Sequence, residues 1–191
     1  LAGLTVAFPI VMLVSAFASL MAFGGAPIAA IFMGSGDKEK AENMMGNCFT
    51  LLVAASIVLT IVLQFVKTPL LFLVGASNDT IMYAESYLSI YLFGTIAVLI
   101  ALGMNAFINT QGFSSVGMKT VLIGAVMNII LDPIFIYVFN MGVEGAAIAT
   151  VISQTVSAVW AFCFLIGKKT NLKLKKKYLK LKSELVKSAL A

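Results

Sequence analysis

Residues 1–35 read LAGLTVAFPIVMLVSAFASLMAFGGAPIAAIFMGS, and not one of them is charged. About 20 apolar helical residues cross a hydrocarbon core of about 30 Å, so this stretch predicts a membrane span. It is no secretory leader, because it has neither a basic start nor a small-residue exit. Four further blocks repeat the pattern. Residues 43–66, 86–118 and 145–167 carry no charge, and residues 120–143 carry only Asp132. Overall the 191 residues are 61% hydrophobic and 11% charged, with mean hydropathy +1.04. Soluble domains have about 25% charged residues, so a water-facing surface is excluded. The expectation is an all-α polytopic membrane protein with five transmembrane helices, near 5–33, 43–66, 84–110, 117–139 and 143–167. The chain opens on Leu1 within an apolar run and closes on Ser188-Ala189-Leu190-Ala191, where apolar character returns. Both ends are therefore expected to be cuts in a longer protein.

The basic residues are 13 lysines, distributed unevenly. Lys38 and Lys40, then Lys119, then the nine lysines after residue 167 fall in alternate connections; the other side has Lys67 alone. The positive-inside rule places the lysine-rich side in the cytoplasm, giving a multi-pass protein of the plasma (inner) membrane with a cytoplasmic carboxyl-terminal tail. Within that tail, residues 168–191, the spacing of Leu174, Tyr178, Leu181 and Leu185 fits an amphipathic helix on the membrane surface. A solvated basic loop, an anionic-lipid contact and a linker between domains are the other readings of the same residues. A nucleic-acid partner is not expected, since the membrane already engages such a stretch. Ser35 or Asp37 should cap the second helix. Lys67-Thr68-Pro69 to Asn78-Asp79 reads as a long connection, and Asn140-Met141-Gly142 as a short turn between antiparallel neighbours. Cys48 and Cys163 lie in different spans and read as small buried packing residues.

Asp132 is the one charged residue deep within a span, roughly 18 Å beyond Lys119 at 1.5 Å per residue. Placing a carboxylate there costs at least about 2.5 kcal/mol, which makes it a functional candidate. Burial favours the neutral acid and a bound cation favours the carboxylate; a proton or sodium switch needs that opposition. A carboxyl held permanently protonated is the structural alternative. Pro133 removes a helical N–H and should kink the helix, and carbonyls freed beside a carboxylate suit a cation. Pro27 should bend the first span in the same way. Asn128 lies one turn before Asp132, and Thr150, Ser153, Gln154 and Ser157 form an answering stripe on the fifth span. These two stripes fit either an oxygen-rich cation pocket or interhelical hydrogen bonds; for Ser153 and Ser157 the second reading leads. Asn105, Asn109 and Gln111 fit either a helix end near Gly112 or a substrate cavity. Ser15, Ala18, Ser19 and Ala22 read as small residues for close helix packing. There is no His; with a single buried carboxylate, no aspartyl, metallo- or serine-type catalytic set is available, so no enzyme, catalytic residue or cofactor is expected.

Three stretches together resemble the multidrug and toxic compound extrusion (MATE) transporters. They are Gly25–Gly34 (GAPIAAIFMG) with Gly36–Glu42 (GDKEKAE), Gly103–Gly112 (GMNAFINTQG), and the run from Gly117 (GMKT) through Asn128–Ile134 (NIILDPI) to Gly142–Gln154 (GVEGAAIATVISQ). The resemblance implies export of small amphipathic or cationic compounds by alternating access, driven by Na+ or H+, in two six-helix lobes. The present chain would supply helices two to six of the amino-terminal lobe and the start of a cytoplasmic linker to a second lobe. It also implies a cation site at Asp132, Asn128 and Thr150, with no other metal, completed by a carboxylate on a first helix outside this chain. The chain alone is therefore expected not to transport. The alternatives are a lipid-linked precursor flippase of the same superfamily and a non-transporting truncated fragment. A flippase needs cationic side chains for pyrophosphate, and these spans hold none away from their ends.

Overall fold

A computed structural model describes residues 2–182, 185, 186 and 189. Six α-helices account for most of it: α1 (Ala2–Gly34), α2 (Lys38–Leu73), α3 (Ile81–Phe93), α4 (Thr95–Thr110), α5 (Ser114–Pro133) and α6 (Gly142–Ile166). A π-helical turn, Ile134–Val138, extends α5. Helices α1, α2, α5 with its extension, and α6 are each long and apolar enough to cross a membrane, and α3 with α4 makes a fifth, bent span. The outward surface is that of a membrane protein: Phe65 and Leu73 are more than 80% exposed, and Phe93, Ile129, Tyr137 and Val138 are also bare. In water such a surface would drive aggregation; in lipid it faces a matching solvent.

The bundle is built around α1, α4 and α6. Helix α1 lies against α2 and α4, and α6 against α5, α4 and α3. The side chains of Met44, Leu52, Leu88, Leu99, Met104 and Phe107 are fully buried where these helices meet. The connections follow local chemistry. The Asp37 carboxylate accepts the Lys40 N–H at 3.0 Å and so caps α2; hydrogen bonds from Lys40 hold that carboxyl below the usual carboxylate range. Between α5 and α6 the chain reverses through Asn140 (φ 53°) and Gly142 (φ 54°), a left-handed conformation that Asn and Gly adopt most readily.

Several expectations are corrected. The span near 84–110 is not one helix but breaks at Gly94 with a 59° bend. A Cβ on Gly94 would lie 2.6 Å from Val151 Cγ2, so α3 and α6 meet there only because the residue has no side chain. Beside the break, Thr60 Oγ1 donates to the Leu92 carbonyl at 2.9 Å and Gln64 Nε2 to that of Ser89 at 2.8 Å, so α2 props the bent segment. We expect Gly94→Leu to cost about 1–3 kcal/mol through overpacking, read as a lowered midpoint in thermal unfolding of the detergent-solubilised protein. An unchanged midpoint would show that α6 yields freely at this point.

The second helix runs past Lys67 and through Pro69 to Leu73, so the connection expected from Lys67 begins only at Val74. Leu71 is fully buried and draws the segment onto the bundle, and Thr68 Oγ1 hydrogen bonds Glu85 of α3. Helix α1 runs unbroken from Ala2 to Gly34, with Pro27 inside it. Beyond Pro133 the helix continues as a π-helical turn, in which the Phe139 N–H donates to the Ile134 carbonyl five residues back, at 3.0 Å. Cys48 is buried, but Cys163 is exposed on the outer face of α6 and is not the packing residue expected.

The tail departs most from its reading. Between Lys168 and Lys182 the only helical turn is a 3-10 turn, Lys176–Tyr178. Leu174 and Leu181 lie in irregular chain, so an amphipathic surface helix is not formed there; Leu185 is helical, and several of its neighbours lie outside the described residues. Nor is the segment a solvated loop, because Thr170, Leu172 and Tyr178 are buried.

Candidate functional site

Helix α5 carries Asn128 and Asp132 one turn apart, and the Asn128 Nδ2 donates to Asp132 Oδ1 at 3.1 Å. That bond leaves the Asn128 amide oxygen and the second carboxylate oxygen for other partners. Across from them, α6 presents Thr150, whose hydroxyl donates to the Ala146 carbonyl at 2.9 Å. With its hydrogen committed to its own helix, Thr150 Oγ1 offers lone pairs outward. Gln154 follows one turn later. All four residues line one cavity of about 370 Å³, closed on the other side by Ser15 of α1 and by Tyr87 and Tyr91 of α3. The two tyrosine rings lie nearly parallel, 6.0 Å between centroids.

A second cavity, of about 210 Å³, adjoins the first, and Leu102, Asn128, Thr150 and Gln154 line both. Its own residues include Asn105, Thr120, Ser153 and Ser157. Ser157 Oγ donates across to the Thr120 carbonyl at 3.0 Å, which is the interhelical bond expected of it. Ser153 differs: its hydroxyl is buried with no hydrogen-bond partner among the described residues. Of the residues singled out for a cavity, Gln154, Asn105 and Ser153 come together here, whereas Asn109 lines neither space. Its amide oxygen lies against Gly117 near the α4–α5 turn. Gln111 also serves elsewhere, as described below.

The acceptors on offer are oxygens. One carboxylate, an amide oxygen, a threonine hydroxyl and two phenols face a common space, and among the described residues no group of three His, Cys, Asp or Glu could hold a metal ion. A lone carboxylate with neutral oxygens balances one positive charge, either a monovalent hard cation or a proton. Three lining residues were not read from the sequence as site residues. Ser15 is part of the cavity wall and not only a small packing residue. Tyr87 and Tyr91 were hidden in an apolar run; their signal is the four-residue spacing of two hydroxyl-bearing rings.

The MatE family model matches residues 1–134. Over 181 residues the chain is 26% identical to "Multidrug export protein MepA" of Staphylococcus haemolyticus (strain JCSC1435), an overlap that covers 94% of this chain and 40% of that one. Among solved structures it is similar to "Inward-facing conformation of a multidrug resistance MATE family transporter of the MOP superfamily", with TM-score 0.94 and 27% identity over 100% of this chain and 43% of that one. The outward-facing conformation described in the same words gives TM-score 0.92 and 27% identity, again over 100% of this chain and 42% of that one. The chain therefore spans about two fifths of the length of the relatives it matches. The whole-chain likeness in fold, together with a family match extending through Asp132 and Pro133, shows that the chain belongs to the MatE family.

Proposed function

We propose that the whole protein is a multidrug efflux antiporter of the plasma (inner) membrane, exporting small amphipathic or cationic compounds by alternating access in exchange for Na+ or H+. The observation that carries this reading is the Asn128–Asp132 pair facing Thr150 in a cavity within the membrane-spanning bundle. In this reading Asp132 exchanges the coupling cation, Asn128 orients the carboxylate through its amide, and Thr150 supplies a further oxygen. Gln154, Asn105 and Ser153 form the polar wall of the adjoining cavity, where substrate or water is accommodated. Pro133 contributes the break in the helical ladder next to the carboxylate. This chain would be helices two to six of an amino-terminal lobe, with residues 168–191 running along the cytoplasmic side toward a second lobe. A helix from outside the chain completes the cation site.

The near-equal likeness to inward- and outward-facing relatives supports a lobe that keeps its shape while its partner lobe moves relative to it. The similarity to a staphylococcal multidrug export protein supports drug export as the direction of transport. The test is cation binding by the purified whole protein, read as the rise in unfolding temperature with added NaCl at constant ionic strength and as its dependence on pH. A ligand that binds only the folded form stabilises by mass action. Thr150→Val removes one oxygen without changing side-chain shape, and is expected to weaken the cation response by about tenfold or more. An identical response in the variant would remove Thr150 from the site.

A further inference from the structure

Helix α2 has 36 residues, about 54 Å at 1.5 Å per residue, against a hydrocarbon core of about 30 Å. Its first turns therefore project beyond the core, at the end of the bundle where the tail leaves α6. They carry polar residues that are buried: Glu42 is 2% and Asn47 1% exposed. What covers them is the tail. Three backbone amides of an otherwise irregular segment are taken up by side-chain oxygens of the helices. The Leu172 N–H donates to Gln111 Oε1 at 2.7 Å, the Lys173 N–H to Glu42 Oε1 at 3.1 Å, and the Lys182 N–H to Asn47 Oδ1 at 2.6 Å. The second Glu42 oxygen pairs with the Lys175 ammonium at 2.5 Å. In the same stretch the Tyr178 hydroxyl donates to Glu39 Oε1 at 3.1 Å, and Thr50 Oγ1 donates to the Leu179 carbonyl at 2.9 Å.

The helix surface is shaped to receive the strand of tail. A Cβ on Gly46 would meet the Tyr178 carbonyl oxygen at 2.5 Å, so only glycine lets the tail backbone lie directly on α2. Further along, the Ala189 backbone lies against Gly24 of α1 in the same way. The tail thus crosses from the end of α4, over α2, to α1.

We infer that residues 170–182 are a clasp built into the lobe, with Glu42 as its anchoring residue, and that this clasp positions the chain beyond it for the turnover of transport. Glu42 is the centre because it is the one buried carboxylate beneath the segment, and it binds the tail twice, once through the backbone and once through a charge. Glu42 is buried while Lys175 stays 43% exposed, so the cost of removing Glu42 falls chiefly on the Lys173 amide, which loses its acceptor, with the ion pair lost alongside it. A tether flexible in this region would let the proposed lobes move independently. A clasped one transmits the position of α1 and α2 to whatever follows. The last step of the inference rests on the transporter reading; the clasp itself does not.

The experiment is hydrogen exchange of the whole protein in phospholipid nanodiscs, following the amides of 170–182, together with initial rates of dye transport against dye concentration. The wild-type segment is expected to exchange slowly although it is nearly devoid of regular structure. Glu42→Ala should accelerate that exchange by at least about tenfold, given the worth of a hydrogen bond to a charged group. Glu42→Gln keeps an acceptor for the Lys173 amide and should fall between the two. Gly46→Leu should match Glu42→Ala while leaving every charge in place. In both releasing variants the maximal rate should fall with KM for dye and the ion dependence unchanged, since the Asp132 cavity is untouched. Wild-type exchange at the rate of an unstructured peptide, or protection that survives both Glu42→Ala and Gly46→Leu, would overturn the clasp. Released tails with undiminished turnover would overturn its positioning role. A wild-type protein that moves no dye would instead count against the transporter reading, with the exchange data still deciding the clasp.

Discussion

Asp132→Asn is expected to reduce drug export by the whole protein to the background of cells lacking it, while leaving membrane insertion and yield unchanged. The asparagine has nearly the same volume, so packing around α5 is preserved. What disappears is the charge that a cation would neutralise and the group that a proton would occupy. The Asn128 amide can still donate to the substituted oxygen, so the local hydrogen bond of 3.1 Å in the native protein survives as a neutral pair. Growth in ethidium with and without the variant, alongside the amount of protein in isolated membranes, separates the two effects. Resistance equal to wild type at equal expression would dismiss Asp132 as the coupling residue.

Phe107→Ala is expected to produce the largest loss of stability. The ring is fully buried where three helices meet: its edge and the Cys48 sulfur of α2 both lie against Gly25 of α1. In soluble cores truncating a buried Phe costs about 3–5 kcal/mol, transfer and cavity terms together. In lipid the transfer part is small and lost packing contacts dominate, so about 2–3 kcal/mol is expected. Unfolding of the whole protein in mixed micelles, titrated with a denaturing detergent, would read it. Phe107→Leu should recover most of the loss. A change under about 0.5 kcal/mol for the alanine variant would show that α1, α2 and α4 do not depend on this contact.

The spans were legible because the signal was long and redundant: five apolar blocks, each separated by charge or turn residues, leave no other fold class. Asp132 was legible for the opposite reason, since a single carboxylate stands out against an uncharged run, and its neighbours Asn128 and Thr150 followed from helical spacing and the family resemblance. The bend at Gly94 was not, because a glycine in an apolar span serves equally for close packing, for a break, or for both as here. Pro27 and Pro69 show the same limit from the other side: each sits within an unbroken helix, whereas Pro133 is followed by a π-helical turn. The tail was misread because its lysines already satisfied the positive-inside rule and its leucines mimicked a helical face. What fixes its course is a set of side chains on α2 and at Gln111, just past the end of α4, about 130 residues away from it in the case of Glu42. No local pattern in residues 168–182 records those partners.

The most direct test of Asp132 as the coupling residue is dye movement in vesicles containing the whole protein, with a sodium gradient and a pH gradient imposed separately. Dye accumulation driven by at least one gradient, and lost in Asp132→Asn while the variant remains folded, is the predicted result. Dye accumulation of equal rate and equal gradient dependence in the variant would contradict it.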